Sequence, residues 1–281
     1  MTILVTGASG NIGSRVVSRL HEGGHTVRAS GRKPAELTLP DGVESVELDL
    51  SRPETFAAAL RGVSRVFLYA EPEGVNAWAA AARSAGVRHV VLLSSSVIAE
   101  PGVDNDPLAQ HHAAVEEALS ESGLATTVLR PGAFAVNALG WSYAVRGKVP
   151  VEQAYLDAQT APVHEDDIAD VAVAALSSDA FAGQVLTLSG PESLSFRQQL
   201  AIVGELLGRE VAVRELGREE AQEQMGRFVP PPILASLLGQ WAAAVGRPSP
   251  ISDVVEKVTG RPARTFRQWA QEHVEAFADP A

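Results

Sequence analysis

The apolar run Ile3-Leu4-Val5 leads directly into Thr6-Gly-Ala-Ser-Gly-Asn-Ile-Gly13, and apolar residues then recur at Val16, Val17 and Leu20. The order reads as a short buried strand, a tight glycine turn and a helix with one apolar face. That arrangement commits the chain to an α/β architecture from its first residues. Glycines at 7, 10 and 13 let the backbone turn sharply, come close to a ligand and pack the helix onto the strand. The start of the helix also offers free N–H groups and the positive end of its dipole. Gly7, Ser9, Gly10, Asn11, Ile12 and Gly13 are therefore expected to cradle the pyrophosphate of a dinucleotide. A glycine triplet alone would be weak grounds; its place between strand and helix gives it weight.

The same alternation continues downstream. Apolar stretches at Thr26–Ala29, Ser45–Leu48, Arg65–Tyr69, His89–Leu93 and Thr126–Leu129 predict five more strands. Helical patterns separate them at Pro53–Leu60, Val75–Ala85 and Leu108–Ser122. Such alternation predicts a parallel sheet covered on both faces, a doubly wound Rossmann-type domain. The second half is less regular. It holds a helix at Asp166–Leu176, a strand at Gln184–Leu188, a short strand at Val211–Arg214 and a helix at Ile233–Val245. Capping boxes at Ser195-Phe-Arg-Gln198 and Thr265-Phe-Arg-Gln268 open two further helices. The expected organisation is a nucleotide-binding domain over residues 1–135, rejoined by segments near 160–190. A smaller, mostly helical and discontinuous lobe would occupy 136–281.

Ligands of open parallel sheets bind beyond the carboxyl ends of the strands. After the second strand the chain reads Ser30-Gly31-Arg32-Lys33, with no acidic residue to take a ribose 2′-hydroxyl. Arg32 and Lys33 suit a 2′-phosphate instead, which predicts NADP(H) as the cofactor. Asp49 and Leu50, after the third strand, are placed to meet the adenine; capping the helix near Pro53 is the alternative role for Asp49. Ala70, Ser94, Ser95 and Pro131 complete the predicted cofactor crevice at the later strand ends. Ser96, Phe134, Trp141 and Tyr143 are candidates for the substrate pocket, with core packing as the alternative for the aromatics. Trp241 and Trp269 are expected to pack the lobe.

Composition narrows the classes of partner. A net charge of −11 argues against nucleic acid and anionic membrane surfaces. The absence of cysteine removes disulfides, thiolate metal sites and cysteine nucleophiles. No apolar run approaches a membrane span, and no secretory signal precedes the first strand. A cytoplasmic monomer or homodimer acting on a small molecule is the expectation. No metal-ligand pattern such as His-Glu-x-x-His occurs, so no metal is expected. His164, before Glu165-Asp166-Asp167, reads as a local helix cap.

The glycine spacing, Val27-Arg-Ala-Ser-Gly-Arg32, Leu92-Leu-Ser-Ser-Ser96 and Val128-Leu-Arg-Pro-Gly132 resemble the atypical short-chain dehydrogenases/reductases. So do His112–Leu119, Pro162-Val-His-Glu-Asp-Asp-Ile-Ala169 and Gly260–Trp269. The chain is most similar to the NmrA-like, NAD(P)H-binding branch. That branch holds quinone reductases, azoreductase-like proteins and redox-sensing regulators. Most short-chain dehydrogenases pair a Tyr with a Lys four residues later, so that the Lys lowers the phenol pKa. Here Tyr69, Tyr143 and Tyr155 are followed at that spacing by Glu73, Gly147 and Gln159. Alcohol dehydrogenase or epimerase chemistry through such a pair is therefore not expected. The resemblance places His112 where some related reductases carry a Lys and quinone-reductase relatives a His, ahead of its neighbour His111, as proton donor or as a group orienting the nicotinamide ribose; a partly exposed helix-start histidine without a chemical role is the alternative. It implies an NADPH-dependent reductase passing hydride to a quinone, azo compound, enone or imine. The alternative is a non-catalytic NADP(H)-binding sensor of the NmrA type.

Overall fold

The computed structural model describes residues 2–100 and 105–279. Seven strands form one sheet: β1 (Thr2–Val5), β2 (Thr26–Gly31), β3 (Glu44–Glu47), β4 (Val63–Tyr69), β5 (His89–Leu93), β6 (Ala125–Pro131) and β9 (Val185–Leu188). Their order is β3-β2-β1-β4-β5-β6-β9, and every neighbouring pair is parallel. The chain steps outward through β2 and β3, then returns to the other side of β1 for β4. The gap between β1 and β4 is thus the topological switch point, where open α/β sheets bind ligands.

Strand alternation divides the core into two layers. Ile3, Val5 and Phe67 face α1 (Gly13–Glu22) and α6 (Glu165–Ser177), where Val16, Leu20, Ile168 and Ala172 complete one buried cluster. Leu4, Val66 and Leu68 face the other way, onto Trp78 of α3 (Val75–Ser84) and Leu119 of α4 (Pro107–Ser122). Every residue of β5 is buried, as a central parallel strand requires. Each such Leu or Phe contributes roughly 1.5–3 kcal/mol of burial.

The rest of the chain builds a mostly helical lobe. Its main core joins Val145 of α5 (Ser142–Arg146), Phe196 and Leu200 of α7 (Phe196–Leu207) and Trp269 of α11 (Phe266–Glu272). Both predicted capping boxes form, at Ser195 and Thr265. Trp269 is fully buried, and Trp241 packs on Phe196 with ring centroids 5.2 Å apart. A smaller cluster joins Leu234 and Leu238 of α9 (Pro231–Ala244) to Ala221 of α8 (Arg218–Met225).

Short elements escape the sequence reading. β7 (Val151–Ala154) pairs in parallel with β11 (Val213–Leu216), two residues beyond the predicted Val211–Arg214. β8 (Gln159–Thr160) pairs with β10 (Leu194–Ser195). α10 (Val254–Thr259) leaves the lobe and returns Val255 to the first sheet layer. Elements this short carry too few residues for a period to show.

One turn ties the sheet edge together. Gly74 starts α3 with φ +75°, and a Cβ there would stand 1.8 Å from the Leu50 carbonyl oxygen. Gly42 also has positive φ (+85°) but faces open space. Gly74→Ala is expected to cost about 3 kcal/mol or more, against about 1 kcal/mol for Gly42→Ala. Urea unfolding of both variants checks this; equal losses would mean that the Leu50 contact carries no constraint.

Candidate active site

The crevice begins at the glycine turn after β1. Gly7 holds a left-handed φ of +60°. The Gly10 N–H closes the turn on the Gly7 carbonyl at 2.9 Å. A Cβ on Gly13 would stand 2.2 Å from that same oxygen, so Gly13 is what lets α1 lie against the turn. Ile12 buries its side chain in the core and leaves only backbone for a ligand. Ser9, Gly10 and Asn11 are exposed. No side chain caps the amino end of α1, and its first turn carries no acidic residue. The positive end of the helix dipole thus faces solvent beside a bare backbone turn, a cradle suited to an anion.

At the adjoining strand end, Arg32 and Lys33 are both exposed but not equivalent. Lys33 pairs with Glu36 at 3.0 Å. Arg32 has no ion-pair partner among the described residues. Asp49 accepts from the Ser51 hydroxyl at 2.7 Å and the Ser51 N–H at 3.0 Å. These bonds, with lesser help from Arg32, hold its carboxyl below the usual carboxylate range. Among the described residues the three-residue 3-10 turn Pro53–Thr55 receives no side-chain cap, so the Asp49 carboxylate serves its own turn, while its backbone N–H donates to the Thr55 hydroxyl at 3.2 Å.

The ends of β4, β5 and β6 are joined through α4. Ala70 is buried, and its carbonyl accepts from His111 Nε2 at 3.3 Å, with the tautomer assigned from that bond. His111, not His112, is therefore the imidazole that reaches the end of β4. The Ser94 hydroxyl donates to Glu116 Oε1 at 2.6 Å. Glu116 in turn accepts from Arg130 Nε at 3.0 Å and Nη2 at 2.6 Å. This bidentate pair raises the Arg130 pKa. Ser95 accepts from the Val97 N–H at 3.3 Å and caps the short turn Ser96–Ala99. Ser96 lies against Gly132: its Oγ would be 3.8 Å from a Cβ placed there. Pro131, buried, ends β6. Glu116 and Arg130 were missed from sequence. The available signals were an Arg directly after the predicted strand Thr126–Leu129 and a Glu one helical turn beyond His112.

Burial of the His112 ring, together with the charge of His111, pushes its pKa down to about 4, against an opposing pull from Glu116. Its Nδ1 is buried without a hydrogen-bond partner among the described residues. At neutral pH His112 is an uncharged imidazole, suited to hydrogen bonding rather than to acting as an imidazolium acid.

The three candidate pocket aromatics separate. Phe134 packs against the first sheet layer and pairs its backbone with Val163. Trp141 joins the lobe core and donates to Gln153 at 3.1 Å. Tyr143 is 81% exposed on α5. His164 does cap α6, accepting from the Asp166 N–H at 3.1 Å, while its Nε2 lies 3.2 Å from Glu272. His164, Asp166 and Glu272 bring ligand-type atoms within 4.8 Å of one another. Asp166 already pairs with Arg15 and Arg19, at 2.9 and 2.7 Å, and so has its charge balanced by protein.

Sheet order, glycine turn and open helix start together define a dinucleotide-binding Rossmann protein. A family model described as NAD(P)H-binding matches residues 7–179. The (4-alkanoyl-5-oxo-2,5-dihydrofuran-3-yl)methyl phosphate reductase of Streptomyces griseus is 39% identical over 282 residues, covering 98% of this chain and 99% of its own. The NAD(P)H azoreductase of Xenophilus azovorans is 34% identical over 286 residues, again covering 98% and 99%. Among solved structures, Citrobacter sp. triphenylmethane reductase complexed with NADP(H) superposes with a TM-score of 0.82 at 22% identity, covering 97% of this chain and 99% of that one. The chain belongs to the NAD(P)H-binding family. Among the described residues no helix is long and apolar enough to cross a membrane.

The His112 environment has a consequence for stability. Its folded pKa of about 4 lies below the unfolded value of about 6.5. Between those values the unfolded chain binds more protons, so stability falls as pH drops through that window. His112→Asn is expected to flatten this part of the profile. Urea unfolding from pH 7 to pH 4 measures it; parallel profiles for parent and variant would contradict the assignment.

Proposed function

We propose that the protein is an NADPH-dependent reductase that transfers hydride to an electron-poor, conjugated small molecule. The observation that carries this reading is the uncapped start of α1 beside the glycine turn, with Arg32 unpaired at the next strand end. The turn residues 7–13 would hold the pyrophosphate through backbone N–H groups. Arg32 would hold the 2′-phosphate, which favours NADPH over NADH. The bound nicotinamide supplies the hydride.

What the chain adds is position and a dry setting. Glu116 fixes both Ser94 and Arg130, which sets the ends of β5 and β6 as a firm floor. The Ser94 proton is directed at Glu116, so that hydroxyl can offer only lone pairs to a ligand. No tyrosine has a lysine four residues on to activate it. An alkene conjugated to carbonyl groups, a quinone or an azo bond accepts hydride without such a pair. The two curated relatives support this class by their names, an oxo-dihydrofuran reductase and an azoreductase, each matched over its full length.

The test is loss of NADPH absorbance on mixing with a panel of quinones, azo dyes and alkanoyl-substituted unsaturated lactones. Steady oxidation with at least one conjugated acceptor is expected. Tight NADPH binding with no turnover across the panel would replace the reductase with a cofactor sensor. In calorimetry, Arg32→Asp is expected to weaken NADPH by roughly one to two orders of magnitude and leave NADH nearly unchanged. Equal losses for both nucleotides would remove the 2′-phosphate from Arg32.

A further inference from the structure

We propose that Tyr69 is the aromatic wall of the crevice, seating the half of the dinucleotide that lies beyond the pyrophosphate, on the nicotinamide side; this rests on the NADPH reading above. The strand period places it. Phe67 faces the first sheet layer and is buried, Leu68 faces the opposite layer, and Tyr69 returns to the side of Phe67. Two residues further along the strand, the layer has ended. Tyr69 is 56% exposed at the carboxyl end of a central strand, where its neighbours are buried.

Its seat is the glycine turn itself. A Cβ built on Gly7 would lie 3.5 Å from Tyr69 Cβ and 3.8 Å from Cγ. The Tyr69 N–H donates to Thr6 Oγ1 at 2.7 Å, which holds the end of β4 beside the turn. The Tyr69 hydroxyl makes no hydrogen bond among the described residues. Behind it, the His111 bond to the Ala70 carbonyl at 3.3 Å ties the same strand end to α4. The protein thus spends a large aromatic surface on a place where it covers no core.

Strand order says which part of the ligand meets that surface. Arg32 marks the 2′-phosphate, and hence the adenosine, at the end of β2. The pyrophosphate turn follows β1. β4 lies on the side of β1 away from β2, so a dinucleotide running from Arg32 across the turn reaches Tyr69 with its nicotinamide half. A flat ring beside a ribose and pyridine ring favours stacking and excludes water from them.

Two variants and two ligands test the assignment. Calorimetry would compare NADPH with adenosine 2′,5′-bisphosphate, which carries the 2′-phosphate but lacks the nicotinamide half. Tyr69→Ala is expected to weaken NADPH about tenfold and leave the bisphosphate unchanged. Tyr69→Phe is expected to keep both affinities within about twofold of the parent, since the ring and not the hydroxyl does the work. The Thr6 bond comes from backbone and survives either change. NADPH affinity unchanged in Tyr69→Ala, equal weakening of both ligands, or a Phe variant as weak as Ala would each overturn the proposal. Failure of the parent to bind NADPH would instead sink the reductase reading.

Discussion

The contact between α1 and the turn that precedes it governs the rest of this molecule. Gly13 has no side chain, so the helix can lie where any Cβ would strike the Gly7 carbonyl at 2.2 Å. That approach aims the helix start at the switch point between β1 and β4. It also leaves the first-turn N–H groups without a side-chain cap, which a helix tolerates at a cost in stability. The Gly10 and Ile12 carbonyls take the Ser14 and Val16 N–H groups, so only part of the helix start stays open to an anion. Fold and proposed ligand site are therefore one feature: the geometry that packs the helix also sets the glycine turn at the carboxyl edge of the sheet.

Around this centre the polar groups divide into those already engaged and those left available. Lys33 is held by Glu36, Ser94 by Glu116, Ser95 by Val97 and Asp49 by Ser51. Arg32, the Tyr69 ring and the part of the turn backbone outside the Gly10–Gly7 and Ala8–Ser30 bonds remain. Residues of the first group shape the crevice, and residues of the second can meet a ligand without breaking anything. The distinction matters most for the two histidines. Equal in sequence, they differ in environment: one ring reaches a strand-end carbonyl, the other is buried and held neutral.

The lobe is coupled to the cofactor helix by ion pairs as well as by packing. Asp166 and Asp170 on α6 accept from Arg15 and Arg19 on α1. Asp167 and Asp170 also take Arg264, in the segment that leads into α11. Arg261 adds a further bond to Asp170 at 2.9 Å. α6 thus carries arginines from both sides of the molecule. Pairs of this kind add little net stability, but removing one partner leaves the other charge uncompensated and is strongly destabilising. The segment that holds Arg261 and Arg264 is thus tied to the helix that packs on α1.

The sequence by itself determined the sheet-forming half and the kind of ligand. Strand and helix periods are local, and the glycine turn needs its residues consecutive, so both are written in short stretches such as Ile3–Leu20. The two capping boxes were legible for the same reason, since each is closed within four residues. Tertiary structure alone decided which polar groups are free. The Ser94–Glu116–Arg130 unit joins residues up to 36 positions apart, and although Glu116 and Arg130 lie in stretches that resemble the family, nothing local pairs them with each other or with Ser94. Only folding revealed that Phe134, Trp141 and Tyr143, close in the chain, go to three different surroundings. Hydrophobicity tells an aromatic side chain to leave water, but not which of several cores will receive it; that depends on where distant helices come to rest.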